Sequence, residues 1–481
     1  MLDDKGLQTI HEKTLGVLKN TGLKVRYHGY HDALREAGAD VDAETDIVKF
    51  PPKLVETAIG NIRRMIEGGK KQHLLNGIIS TKSEPGLKLK FAGACIEFLD
   101  PAGKAARAPT KEDLIRVIKL GESIPEVAFV GNPVCYLTDE FGKRVPGPLQ
   151  RVLTAATVAK YTTKYGSNEV WNDKELDLLL ELGAIVRGSE EAFSRNPCFV
   201  TAKETIAPLL FPEEDGKVLY MLASRSLPCT IIPMPVSGAT SPVGMAANIV
   251  IGAAEVLGVQ TCINLCFPDA MTGGGVISGI MDMKSASASF AAPEAILQDL
   301  GLAMLFEKLY GQNFGIGTGY IDALLPGAQS AMEIYAKMRA AYESGRYDYS
   351  CGLLLGGKRF SPVQALISVE TARYIERLNT KISTSELDIP MDVIAETGIG
   401  GHYLEAAHTL ENYRGAMWAP QLMQRKLDIK SEADVMVERA TGQWADFLKN
   451  CDINEPAVSE GTARQIDEWA EKAVRILSEE Q

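Results

Sequence analysis

Histidine is scarce in this chain of 481 residues: there are 6, at positions 11, 28, 31, 73, 402 and 408. A zinc-dependent enzyme gathers His with Cys or carboxylates at its site, and no such set is legible here. His402 and His408, with Glu405 between them, come nearest, and a capping or interface role suits them better than a metal. The 8 cysteines are scattered without the spacing of a disulfide or zinc framework. Cys262 and Cys266 read as small buried hydrophobes sharing one face of a strand. No apolar run reaches the roughly 18 residues that a membrane-spanning helix needs. Residues 1–6 lack the basic and apolar regions of a secretion signal, so a cytoplasmic location is expected. A formal net charge of -12 argues against nucleic acid, whose phosphates need clustered Lys and Arg.

What is present is a repeat. A short β-branched or apolar run, a Gly/Pro break and an amphipathic helix recur from about Val127 to about Arg377. Eight such runs are read, at 127–132, 163–168, 198–203, 229–233, 260–267, 275–280, 313–318 and 347–354. Eight parallel strands covered by helices predict an α/β protein built on a (β/α)8 TIM barrel, with its chemistry on the loops at the carboxyl ends of the strands. The chain exceeds the roughly 250 residues of a minimal barrel. The expected organisation is an N-terminal α+β extension (1–125), the barrel (126–383) and a C-terminal helical region packed on it (384–481). Lys88–Phe91 and the run that follows it read as a hairpin ahead of the barrel.

The predicted strand ends supply Asn168 and Glu169, Lys203 and Glu204, Phe267, Tyr320 and Asp322, and Tyr349, with Lys284 shortly after the sixth run. Ring faces beside carboxylates suit a cationic ligand, because both attract a desolvated ammonium. The run Gly315-Ile316-Gly317-Thr318-Gly319-Tyr320 imitates a dinucleotide fingerprint. However, Tyr320 stands at its third glycine position, and the next helix is too distant for its N-terminus to meet a pyrophosphate. Those glycines read instead as places of close backbone or ligand approach.

Several segments, in this order, resemble the trimethylamine methyltransferase superfamily, in particular members without pyrrolysine. They are DPAGKAARAPT from Asp100, PVSGATSPV from Pro235, AEVL from Ala254, MDM from Met281, SFAAPEAIL from Ser289, GTGYIDALLPGAQ from Gly317, GHYLEAAHTLEN from Gly401 and WAP from Trp418. The resemblance implies a barrel that passes a methyl group from an amine to Co(I) of a corrinoid carried by a separate protein, with no cofactor tightly bound to this chain. Only ordinary residues lie between Gly317 and Gln329, where the trimethylamine enzyme carries pyrrolysine. The implied substrate is therefore a small quaternary amine such as glycine betaine, proline betaine or carnitine.

That chemistry suits the residue inventory. The amine leaves neutral, so no side chain need deliver a proton, and placement and electrostatics remain for the protein to supply. The roles expected from the resemblance are a cage of Phe91, Phe267, Tyr320 and Tyr349, with Glu204 and Asp322 as electrostatic partners. Asn168 adds a polar contact, and Lys284 or Lys203 meets a substrate carboxylate. His402 and His408 are expected to shape the surface on which the corrinoid protein docks, and a homo-oligomer is expected. Rival readings are a Schiff-base lyase using Lys203 and a non-catalytic betaine-binding barrel.

Overall fold

The computed structural model describes residues 2–68, 88–101, 105–139, 141–199, 201–425 and 434–479; part of the 100–110 motif thus lies outside the described residues. From Lys88 onward, strands and helices alternate. Strands β1 (Lys88–Phe91) and β2 (Val127–Val130) are separated by helix α1 (Lys111–Ser123), and α2 (Gly147–Tyr161) and α3 (Asp173–Arg187) follow. Then come β3 (Ala202–Glu204), α4 (Glu213–Ser224), β4 (Cys229–Ile232) and α5 (Met245–Cys266). The set is completed by β5 (Thr272–Val276), α6 (Pro293–Tyr310), β6 (Phe314–Ile316), α7 (Ala328–Glu343), β7 (Asp348–Ser350) and α8 (Pro362–Leu378). Local signals set the helix starts: Thr110 and Asp113 form a capping box on α1, and Pro293 and Pro362 occupy first-turn positions where no N–H is needed.

Two ladders, both parallel throughout, run β7–β1–β2 and β6–β5–β4–β3. Their registers pair Tyr349 with Leu89 in one and Ile231 with both Lys203 and Gly274 in the other. Residues 163–168 extend the first ladder: Val130 bridges Tyr165 in parallel, and Gly166 N–H donates to Val130 O at 3.0 Å. Between β6 and β7 the link is a side chain. Thr318 Oγ1 donates to Asp348 O at 3.1 Å and accepts from Ser350 N–H at 3.2 Å.

Two expectations need correction. Residues 260–267 are not a strand but the last two turns of α5, whose 22 residues are apolar almost all round. An all-round buried helix loses the periodicity that separates it from a buried strand. Cys262 and Cys266 therefore share a helix face, one turn apart. The true fifth strand, Thr272–Val276, has three glycines and weak strand propensity, which displaced the expected run toward 275–280. The segment read as a leading hairpin, Lys88–Phe91, instead sits between β7 and β2 in the parallel set.

Helix α5 alone among the described residues is long and apolar enough to cross a membrane, yet most of it lies inside the protein. Helices Asp4–Asn20 and Pro52–Glu67 of the N-terminal extension pack on it. Several of its polar groups are satisfied internally. Glu255 accepts from Thr205 Oγ1 at 2.5 Å and Leu209 N–H at 2.9 Å, and Gln260 Nε2 donates to Gln312 at 2.8 Å.

The C-terminal part contains α9 (Met391–Thr397), α10 (Ala407–Ala416), α11 (Val435–Asn450) and α12 (Glu460–Ser478). Helix α12 lays an apolar stripe against α2 and α3. Its Trp469 is buried and donates from Nε1 to Leu178 O at 3.1 Å. Trp469→Ala removes this plug, and chemical denaturation should show a loss of about 3–5 kcal/mol. A loss below about 1 kcal/mol would mean that α12 is not part of the cooperative unit.

Candidate active site

Because side chains alternate along a strand, every second residue of the parallel set faces the same side. At the carboxyl ends those residues enclose a cavity of about 140 Å³, lined by all seven strands or the loops after them and by residues 167–169. This is roughly ten times the space that one water needs, enough for a small organic molecule.

Three charged residues line it: Lys90 of β1, Glu204 of β3 and Glu169 just beyond residues 163–168. Glu204 is solvent-accessible and lines the cavity. Burial, and then the negative charge of Glu169, push its carboxyl up to about 7, against the pull of Lys203. Lys90 is itself buried. Desolvation draws its ammonium below the usual lysine range, with Asp348 acting in the opposite direction. Burial raises the Tyr320 hydroxyl well above the usual tyrosine value, with Cys95, Glu204 and Glu169 adding to it, so the ring stays neutral. Its place depends on Gly357, in the left-handed region at φ 85°, where an added Cβ would lie 2.5 Å from the ring. Gly319 does the same for the backbone, since a Cβ there would meet Ser350 at 2.5 Å.

Asn168 carries the clearest sign of a ligand. It lines the cavity, it is buried, and neither its Oδ1 nor its Nδ2 has a partner among the described residues. Buried amides are rarely left so, because the unmade hydrogen bonds cost roughly 1–3 kcal/mol. Asn132, Ser167 and Ser350 add further polar groups, while Ile232, Val276, Ile277 and Ile316 supply apolar walls. Behind the wall, Asp299 holds Ser278 N–H at 2.7 Å with Lys337 beside it at 3.9 Å, which fixes the loop after β5.

Of the residues singled out from sequence, the cavity gathers Glu204, Glu169, Tyr320 and Asn168. The others point elsewhere. Lys203, on the opposite face of β3 from Glu204, pairs with Asp215 of α4 at 3.1 Å, so no free amine there meets a carbonyl substrate. Phe91 packs outward against Gly121 of α1 and on Phe360 at 5.9 Å. Tyr349 is buried on the face opposite Ser350, its hydroxyl without a partner. Phe267 caps α5 and meets Tyr220 edge-on at 4.8 Å. The Asp322 carboxylate is committed at the start of α6, accepting from Phe290 N–H at 2.7 Å and from the Ser289 hydroxyl. Lys284 lies exposed in the turn between strands Gly279–Asp282 and Ser287–Ser289. His402 is exposed, and His408 Nε2 bonds Leu387 O at 2.7 Å; neither lines the cavity. Lys90 escaped the sequence reading because its strand was placed outside the barrel.

Residues 1–476 match the protein-family model described as trimethylamine methyltransferase (MTTB). The chain belongs to this family of methyltransferases. Trimethylamine methyltransferase MttB of Desulfitobacterium hafniense is 27% identical over 413 residues, covering 85% of this chain and 81% of its own. Glycine betaine methyltransferase of Desulfitobacterium hafniense strain Y51 is 22% identical over 462 residues, covering 94% and 92%. The crystal structure of the Methanosarcina barkeri monomethylamine methyltransferase (MtmB) aligns over 92% of each chain at 13% identity, with a TM-score of 0.45.

The site predicts its own pH dependence. Glu204 is neutral below, and anionic above, its raised value of about 7. A permanent cation such as tetramethylammonium should bind the anionic form. Its dissociation constant by calorimetry should therefore fall roughly tenfold from one pH unit below that value to one above. In Glu204→Gln the profile should be flat; a flat wild-type profile excludes Glu204 as the cation's partner.

Proposed function

We propose that this methyltransferase demethylates a quaternary amine bearing a carboxylate, a betaine, in the cavity at the strand ends of a closed (β/α)8 barrel. The observation that carries the reading is that charges of both signs line that cavity: Tyr320, Glu204 and Glu169 act on one another electrostatically, while Lys90, which Asp348 influences through space, makes no ion pair or hydrogen bond among the described residues. The ring face and carboxylates suit a trimethylammonium group. Lys90 and the unpartnered amide of Asn168 suit a carboxylate. Lys90 thus takes the part first expected of Lys203 or Lys284. Membership of a family that includes a glycine betaine methyltransferase supports the same substrate class.

Within this reading the side chains orient, desolvate and hold, and none transfers a proton. Glu204 and Glu169 stabilise the cationic ground state, and that attraction weakens as nitrogen loses its charge. Tight carboxylate contact at nitrogen would therefore slow the reaction, and a ring with more distant carboxylates is the better compromise. Lys90 and Asn168 anchor the far end of the substrate, which fixes the direction of the N–CH3 bond.

The methyl acceptor we assign is a corrinoid carried by a partner protein. It supplies Co(I) as the nucleophile, and the amine departs with the C–N bonding pair as a neutral tertiary amine. A cavity of about 140 Å³ with no histidine in its lining suits a small substrate and not a corrin macrocycle, so the corrinoid is expected to approach from outside. Loops after successive strands expose large apolar residues: Ile96, Phe141, Trp171, Ile206, Val243 and Leu324. These loops form the docking surface in our reading, in place of His402 and His408.

Glycine betaine, other quaternary amines and tetramethylammonium, each mixed with cob(I)alamin, distinguish the possibilities by loss of the Co(I) visible band and by mass spectrometry of the amine. Lys90→Met should weaken a betaine roughly 10–150-fold through the lost charge-assisted bond and leave tetramethylammonium binding within about twofold. Equal effects on both ligands would remove Lys90 from carboxylate recognition.

The docking reading has a separate check. Phe141→Ser with Leu324→Ser should raise KM for the corrinoid protein by roughly tenfold or more while the rate with free cob(I)alamin is unchanged. A double variant that is normal with both acceptors removes this surface from docking.

A further inference from the structure

Among the described residues, one group of three side chains drawn from His, Cys, Asp and Glu brings its ligand atoms close enough to share an ion: His28, His31 and Asp46. One atom from each lies within 4.8 Å of the others. The set belongs to the fold rather than to a sequence motif, because the turn before strand Ile47–Lys49 folds back onto His28-Gly29-Tyr30-His31.

The three members are held differently. His31 is 4% exposed, and its Nε2 bonds Val25 O at 2.8 Å. A carbonyl only accepts, so Nε2 carries the proton and the neutral ring keeps its lone pair on Nδ1. That nitrogen makes no hydrogen bond among the described residues. An imidazole that binds a metal is oriented in this way, with its other nitrogen on a carbonyl or carboxylate. Asp46 is pinned through its backbone, in the left-handed region at φ 61°. Its N–H donates to Asp42 O at 3.0 Å, and its O accepts from Val25 N–H at 2.8 Å. His28 is the adjustable member. Its side chain is 70% exposed, with Nε2 at 2.8 Å from Asp46 Oδ1 and its ring centre 4.7 Å from that of His31.

We propose that His28, His31 and Asp46 bind a divalent transition cation of the zinc class, with water in the fourth position. Two imidazoles with one carboxylate suit that class, whereas Mg2+ and Ca2+ prefer oxygen ligands alone. Ligand atoms on a tetrahedral zinc ion lie roughly 3.3 Å apart. The His28–Asp46 contact opens slightly to admit the ion, and the exposed His28 ring turns to close the remaining distance. The ion joins two segments that flank strand Leu23–Val25, which pairs in parallel with Leu210–Phe211 after β3. Beside it, the Tyr30 hydroxyl donates to Gly216 O of α4 at 3.0 Å. Zinc thus fastens the N-terminal extension to the part of the parallel set that carries Glu204. None of the three residues lines the cavity, so the site is separate from the one assigned to methyl transfer.

Full-length protein stripped of metal by a chelator, titrated with Zn2+ in a calorimeter, should show a site whose dissociation constant rises roughly tenfold or more in His28→Gln and in Asp46→Asn. Both side chains are accessible and asparagine tolerates the left-handed region, so circular dichroism should match the wild type. Saturating Zn2+ should raise Tm by roughly 2 °C or more in the wild type and not in the double variant, and Mg2+ should raise neither. Co2+ in place of zinc should give visible d–d absorption that the double variant loses. A wild type that binds no more zinc than the double variant overturns the proposal and leaves only a hydrogen-bonded His28–Asp46 pair. So does a zinc affinity that both substitutions leave unchanged.

Discussion

Opposite charges held apart in a small desolvated space are the constraint on which the site depends. Glu204 and Glu169 both line the cavity, and their repulsion adds to burial, against the pull of Lys203, in raising Glu204 to about 7. Lys90 bears the converse cost, its ammonium buried near Asp348 but without an ion pair or hydrogen bond among the described residues. Asp348 offsets part of the Lys90 charge and Lys203 part of that on Glu204; in our reading a ligand with separated charges relieves what remains at both ends. Such a site is costly to keep empty. The fold sustains it through parallel strands whose alternation sends Glu204 inward and Lys203 outward to Asp215.

Much of the frame was legible as a β-branched run, break and helix repeated along the chain. It failed where burial erased pattern. Helix α5 is covered by the parallel set on one side and by the N-terminal helices on the other, so its apolar residues show no helical stripe, and Gln260–Phe267 read as a strand. The adjoining strand Thr272–Val276 hid for the opposite reason, its glycines carrying almost no strand signal. That exchange also pushed Lys88–Phe91 out of the predicted set and took Lys90 with it.

At the site, the residue types were easier to read than their directions. Glu204, Glu169, Tyr320 and Asn168 could be found from strand ends alone. Phe91 and Tyr349 sit on the same strands as cavity residues but have the wrong parity, which sequence cannot reveal until register is known. Asp322 looked like a cation partner, yet it serves the amide groups that begin α6. The family resemblance was sound over nearly the whole chain, while the cage it suggested contained only one ring that reaches the cavity.

Loops with scattered exposed apolar residues surround the cavity mouth at the carboxyl ends of the parallel set. The most direct test of the central claim is a crystal structure of the enzyme soaked with glycine betaine. The account predicts its trimethylammonium group against Tyr320 with Glu204 and Glu169 nearby, and its carboxylate on Lys90 and the Asn168 amide. A betaine bound in the reverse sense, or ordered outside this cavity, would contradict it.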